Sequence, residues 1–178
     1  MVSEPKSKQK YLYLFIGYPG AGKTTIAKTL AEYSGAKHLW ADVERHKLFP
    51  NPTHSKKESD ELYDMLNYST GYLLQQNKSV IFDTNFNYYS DREKVRKIAD
   101  KYNAKTIVIW LTTPKDIAYK RSVESHESRN LYEINMTKDQ FDSIVKKLEP
   151  PKDDETVIKI DGTKISVAEI KKKLEKYI

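Results

Sequence analysis

The segment Gly17-Tyr18-Pro19-Gly20-Ala21-Gly22-Lys23-Thr24 satisfies G-x-x-x-x-G-K-[ST] at every constrained position. Residues of these types at this spacing serve phosphate chemistry. The glycines let successive backbone N–H groups converge on phosphate oxygens, and a helix beginning at the end of the motif adds the positive end of its dipole. Lys23 reaches the β- and γ-phosphates, and the Thr24 hydroxyl ligates Mg²⁺. Gly17, Gly20, Ala21, Gly22, Lys23, Thr24 and the following Thr25 are therefore the expected contacts to ATP. A phosphate loop specifies a nucleotide and a metal, not a reaction, so other residues have to be read for the chemistry.

Asp42-Val43-Glu44-Arg45 places a carboxylate and a guanidinium three residues apart. A kinase acting on a hydroxyl needs a carboxylate to take or orient the acceptor proton, and it gains from an arginine that holds an acceptor phosphate. The pattern alone leaves open whether Asp42 instead caps a following helix. Val80-Ile81-Phe82-Asp83 is an apolar run closed by Asp, the usual carrier of the carboxylate on the Mg²⁺ side of such sites. Asn85, just beyond, is expected to shape the turn or the acceptor pocket. Arg121, at a helix end, precedes and Arg129 lies within a polar stretch, Ser122 to Asn135, that reads as a lid. An arginine brought in by a lid neutralises the charge that spreads over a moving phosphoryl group. The expected catalytic set is Lys23, Asp42, Arg129 and Arg121. The four histidines (His38, His46, His54, His126) share no metal-ligand spacing, and Tyr88 and Tyr89 could stack on a base.

These residues must be held by elements, and the apolar pattern supplies them. Tyr11 to Ile16, Lys37 to Ala41, Ser79 to Phe82, Thr106 to Leu111 and Thr156 to Ile160 read as strands, with Asp42 and Asp83 just beyond two of them. Thr24 to Ser34, Glu58 to Gln76, a segment capped by Ser90 and Glu93, one started by Thr113-Pro114, one capped by Thr137 and Gln140, and one capped by Ser166 read as helices. The alternation predicts right-handed βαβ crossovers and a parallel sheet covered on both faces, with ligands at the carboxyl ends of the strands.

The 178 residues suit one domain over 11–178, behind an N-terminal tail, 1–10, expected to be disordered. There is no cysteine, so neither disulfides nor thiolate metal sites are available. No apolar run approaches the roughly 20 residues of a membrane span, and the Lys-rich start does not resemble a secretory signal. A cytoplasmic monomer with no membrane partner is expected. The net charge of +6 comes mainly from lysine, since only five of the 31 basic residues are arginines. No guanine-reading N-K-x-D and no transporter-type LSGGQ signature is present.

The chain resembles the small P-loop kinases of the polynucleotide 5′-hydroxyl kinase and zeta-toxin group, proteins of AAA-type ATPase classification. Gly17 to Thr24 is similar to their phosphate loop, Asp42-x-x-Arg45 to their acceptor element, and Asp83-Thr84-Asn85-Phe86-Asn87 to their D-T-N-x-N segment. Thr113-Pro114 through Arg121 followed by a lid is also their layout. The resemblance runs from about Tyr11 to Gly162. It implies an α/β P-loop fold with a five-stranded parallel sheet in the order 2-3-1-4-5. It also implies Asp42 as base, Arg45 as a holder of the acceptor, and transfer of the ATP γ-phosphate to a hydroxyl. The leading acceptor is a polynucleotide or nucleotide 5′-OH. A small-molecule or nucleotide-sugar kinase, and an ATP-binding module without phosphotransfer, are the alternatives.

Overall fold

The computed structural model describes residues 9–125 and 136–178. Five strands, β1 (Tyr11–Ile16), β2 (Lys37–Trp40), β3 (Val80–Asp83), β4 (Lys105–Leu111) and β5 (Val157–Ile160), form one sheet in the order β2-β3-β1-β4-β5. Every pairing is parallel. The helices are α1 (Lys23–Ser34), α2 (Ala41–Leu48), α3 (Lys56–Gln75), α4 (Tyr89–Lys101), α5 (Lys115–Tyr119), α6 (Lys138–Lys146) and α7 (Val167–Leu174). Among the described residues, no helix is long and apolar enough to cross a membrane.

The expected sheet and its order are those observed. The central strand β1 shows why both faces must be covered, since all six of its residues are buried. Its period of two sends Tyr13 and Phe15 to one face, where they pack with Ile26 and Leu30 of α1 and Ile170 and Leu174 of α7. Leu12, Leu14 and Ile16 go to the other, against Leu62 and Leu66 of α3 and Val95 of α4. In this order β1 has β3 on one side and β4 on the other. The chain reverses direction of travel across the sheet there, and that switch point opens the crevice for a ligand.

Local expectations needed correction in four places. Helix α2 starts at Ala41, directly after β2, with Trp40 in the N-cap position. Asp42 thus lies within the first helical turn, neither on a loop nor at the cap. Helix α3 starts two residues earlier than the pattern suggested, capped by Ser55, whose hydroxyl accepts from the Glu58 N–H. The Ser90–Glu93 capping box does not form. Helix α4 starts at Tyr89, and the Tyr89 N–H donates to the Glu149 carboxylate instead. Thr113 does not cap α5 either, because its hydroxyl donates 2.8 Å to the carbonyl of Ala21. In both of the last cases a tertiary partner outcompetes the local one. The Thr137–Gln140 capping box forms as expected, with both of its hydrogen bonds.

Candidate active site

Gly17 to Gly22 links β1 to α1, and the loop is shaped from outside as well as by its own glycines. Gly20 sits at φ 77°, a left-handed conformation, and a Cβ there would lie 2.3 Å from the Ala118 carbonyl oxygen. On the far side, a Cβ on Gly162 would lie 2.0 Å from Thr113 Oγ1 and 2.1 Å from the Ala21 carbonyl oxygen. The ends of β4 and β5 therefore press Thr113 and Gly162 against the loop. Arg121, in a π-helical turn over Lys120–Glu124, donates 2.7 Å to the Gly162 carbonyl and completes this clamp.

Lys23 opens α1. Its ammonium donates to the carbonyls of Gly17 (2.9 Å) and Tyr18 (2.8 Å), folding back across its own loop. Burial lowers its pKa from 10.5 to about 8, against the opposing pull of the Asp83 and Asp42 carboxylates. Helix α1 has no side-chain cap and no acidic residue in its first turn. A phosphate fits this cradle, because the N-terminal N–H groups of α1 are left to an anion and Lys23 is a cation poorly satisfied by water.

On the metal side, Thr24 Oγ1 donates 3.3 Å to Asp83 Oδ1. Asp83 is only 3% exposed, and its other oxygen lies 3.0 Å from His38 Nε2. A hydroxyl beside a buried carboxylate at the mouth of a phosphate loop suits Mg²⁺. That ion keeps waters and phosphate oxygens in its shell and needs few protein ligands. His38 is held in turn by its ring stacking on Trp40, 6.0 Å centroid to centroid.

Because β2 and β3 are neighbours with Trp40 opposite Asp83, Asp42 is brought to the same end of the sheet. Its carboxyl is raised above the ordinary carboxylate value. Burial is the main cause and repulsion from Asp83 the next, opposed by the Arg45 charge, a hydrogen bond involving Trp40, and His54. Arg45 is turned into the protein, 6% exposed, with Nη1 donating 2.6 Å to Glu58 Oε1 and Nη2 reaching Ser59. Glu58 also accepts from the Thr53 N–H and hydroxyl and from the His54 N–H. Burial would raise Glu58, but these hydrogen bonds outweigh it and hold it at about 2. The pair ties α2, which carries Asp42, to α3.

The structure thus gathers Lys23, Thr24, Asp42 and Asp83 at one end of the sheet, with Arg121 on the opposite flank of the loop. Thr25 and Asn85 are exposed beside them. Arg129 and most of the expected lid, including His126, lie outside the described residues. Four residues named in the sequence without a place at the site prove to stand around the phosphate loop and Asp83: His38, Asn87, Thr113 and Gly162. Asn87 is 3% exposed, its Oδ1 lies 3.5 Å from the Gly17 N–H, and its Nδ2 has no hydrogen-bond partner among the described residues. The D-T-N-x-N spacing was the available signal for Asn87. For the other three only contacts with distant residues reveal a role.

A family described as AAA domain matches residues 12–151 of the chain. L-seryl-tRNA(Sec) kinase of Methanococcus maripaludis is 26% identical over 133 residues, covering 68% of this chain. The chain spans about half the length of that curated relative, 51%. Among solved structures, a Chloroflexus aurantiacus protein described as a candidate kinase superposes with a TM-score of 0.75 at 18% identity, covering 97% of each chain. A sugar kinase of Janibacter gives 0.69 at 18% identity, with 94% of each chain covered. A fungal RNA kinase gives 0.66 at 20% identity, covering 97% of this chain and 87% of the other. These likenesses establish the fold as that of the P-loop kinases.

Proposed function

The chain belongs to the AAA domain family, and from that premise we propose that it is an ATP- and Mg²⁺-dependent kinase acting on a hydroxyl group. The leading acceptor is the 5′-hydroxyl of an oligonucleotide or nucleotide. The observation that carries the reading is that α2, starting directly after β2, brings the half-buried Asp42 carboxylate to the end of the sheet where Asp83 closes β3 and Lys23 opens α1, and burial there raises Asp42 above its ordinary value. A carboxylate moved toward neutral pH is suited to general-base work.

In this reading the N–H groups of the loop and Lys23 hold the ATP phosphates, and Thr24 and Asp83 would hold Mg²⁺. ATP supplies the phosphoryl group, and the ion shields its charge. Asp42 accepts the proton of the acceptor hydroxyl as the acceptor oxygen bonds to the γ-phosphorus and the bond to the β–γ bridging oxygen breaks, releasing ADP. Arg45 sets the acceptor side from behind, fixing α2 through Glu58 and favouring the charged form of Asp42. Arg129 is assigned the charge of the transferring group, with Arg121 as the alternative. The names of the tRNA-directed relative and the RNA kinase support a nucleic-acid acceptor. The likeness to a sugar kinase supports a small-molecule acceptor as the second reading.

The test is a radiolabelled ATP transfer screen over 5′-OH RNA, 5′-OH DNA, nucleosides, sugars and nucleotide-sugars, run with wild type and Asp42→Asn. Wild type should label one acceptor class. Asp42→Asn should lose about 100- to 10,000-fold in turnover while keeping its affinity for ATP. ATP binding with no acceptor labelled would leave a binding module. Full activity in Asp42→Asn would remove Asp42 from the mechanism.

A further inference from the structure

Helices α3 and α4 lie side by side on one face of the sheet and leave a groove of about 400 Å³ between their C-terminal halves. On the α3 side Tyr68 and Tyr72, one helical turn apart, are 77% and 54% exposed. On the α4 side Lys97 and Lys101, also one turn apart, line the groove with Tyr102. Gly71 makes room for that ring: a Cβ there would come 3.2 Å from Tyr102 Cε2. Lys97 makes a 3.3 Å pair with Glu93 but stays 73% exposed, and Lys101 lies 5.6 Å from the Tyr102 ring centre. Among the described residues, no carboxylate lines the groove.

We propose that this groove binds a segment of single-stranded nucleic acid, at a site separate from the phosphate loop. Exposed aromatic rings give bases a surface to stack on, and lysines beside them track phosphates, which together bind single strands with little sequence preference. The chain's net charge of +6 favours the same partner. Ile98 and the carbon faces of the tyrosine rings make the floor of the groove apolar, as base stacking needs, while Lys97, Lys101, Asn67 and Gln75 set charge and amides around it for phosphates and base edges. Because α3 and α4 run back from the carboxyl ends of the strands, their C-terminal halves lie at the far end of the sheet. None of the residues lining the groove belongs to the phosphate loop or to the strand ends beside it. Binding here leaves the phosphate loop free.

The experiment is fluorescence anisotropy on the full chain without nucleotide, using a short mixed-sequence RNA that carries a 3′ fluorophore and a 5′-phosphate. Such a probe has no hydroxyl at its 5′ end to accept phosphate, so the result is independent of the kinase assignment. Tyr68→Ala and Tyr72→Ala should each weaken binding roughly 5- to 100-fold. Lys97→Gln and Lys101→Gln should each flatten the slope of log affinity against log salt by about 0.7. All four side chains are on the surface, so thermal unfolding and ATP affinity should stay at wild-type values. Excess ATP should not displace the probe, and a duplex of the same sequence should bind without dependence on the tyrosines. Absence of RNA binding, indifference to the tyrosine substitutions, or displacement by ATP would each overturn the proposal.

Discussion

Replacing Lys23 by Met separates what this residue costs the fold from what it gives a nucleotide. A lysine whose pKa falls from 10.5 to about 8 on folding is a cation that the folded state holds at a disadvantage. The folded chain binds this proton less tightly than the unfolded one, so the penalty is fully present below pH 8. It fades as the pH rises from 8 toward 10.5. From those two values the penalty is at most about 3 kcal/mol at pH 7 and about 2 kcal/mol at pH 9. Lys23→Met removes the charge but also strips the Gly17 and Tyr18 carbonyls of a donor, at roughly 1–3 kcal/mol. The pH-independent part of the difference is thus small and of either sign. The pH-dependent part has a definite sign: wild type should gain about 1 kcal/mol on the variant between pH 7 and pH 9. For a chain of this size that is roughly 2–4 °C in melting temperature. The assay is thermal unfolding of both proteins across that range without nucleotide, paired with titration of a fluorescent ATP analogue. The variant should lose nucleotide affinity and turnover outright. Parallel melting curves at all pH values would refute the claim that Lys23 is a desolvated cation. Unchanged turnover would refute the nucleotide site itself.

Gly162→Ala should act on nucleotide binding from outside the phosphate loop, because its methyl would overlap Thr113 Oγ1 and the Ala21 carbonyl. An increase of about tenfold or more in the KM for ATP, equivalent to about 1.4 kcal/mol, together with a lower melting temperature, is the expected result of kinetic and melting measurements. Arg92→Met should leave Glu155 buried without its partner, since the two are 1% and 2% exposed and 2.7 Å apart. Breaking such a pair costs about 3–5 kcal/mol, or roughly 6–20 °C of melting temperature. Adding Glu155→Met should restore most of it.

Much of the fold was legible because its signals are local. Six apolar residues before a glycine-rich turn make β1 whatever surrounds it, and the match at Gly17 to Thr24 carries its own backbone requirement. The alternation of strand and helix patterns dictates a parallel sheet by the handedness of crossovers. Asp83 and Thr24 were visible for the same reason, each at a fixed offset from a strand or a helix start. What the sequence left open were choices between partners. By its pattern Arg45 could face an acceptor or solvent, and only the packing of α2 on α3 turns it inward and brings Glu58 within 2.6 Å of it. Thr113 had a good local use as a cap and took the Ala21 carbonyl instead. The raised Asp42 and the lowered Lys23 follow from desolvation and from charges on three different strand ends. Those ends become neighbours only when the sheet assembles. Periodicity and backbone preference are properties of a few consecutive residues. Burial and electrostatic coupling are properties of residues far apart in the chain, so they are decided by the tertiary structure.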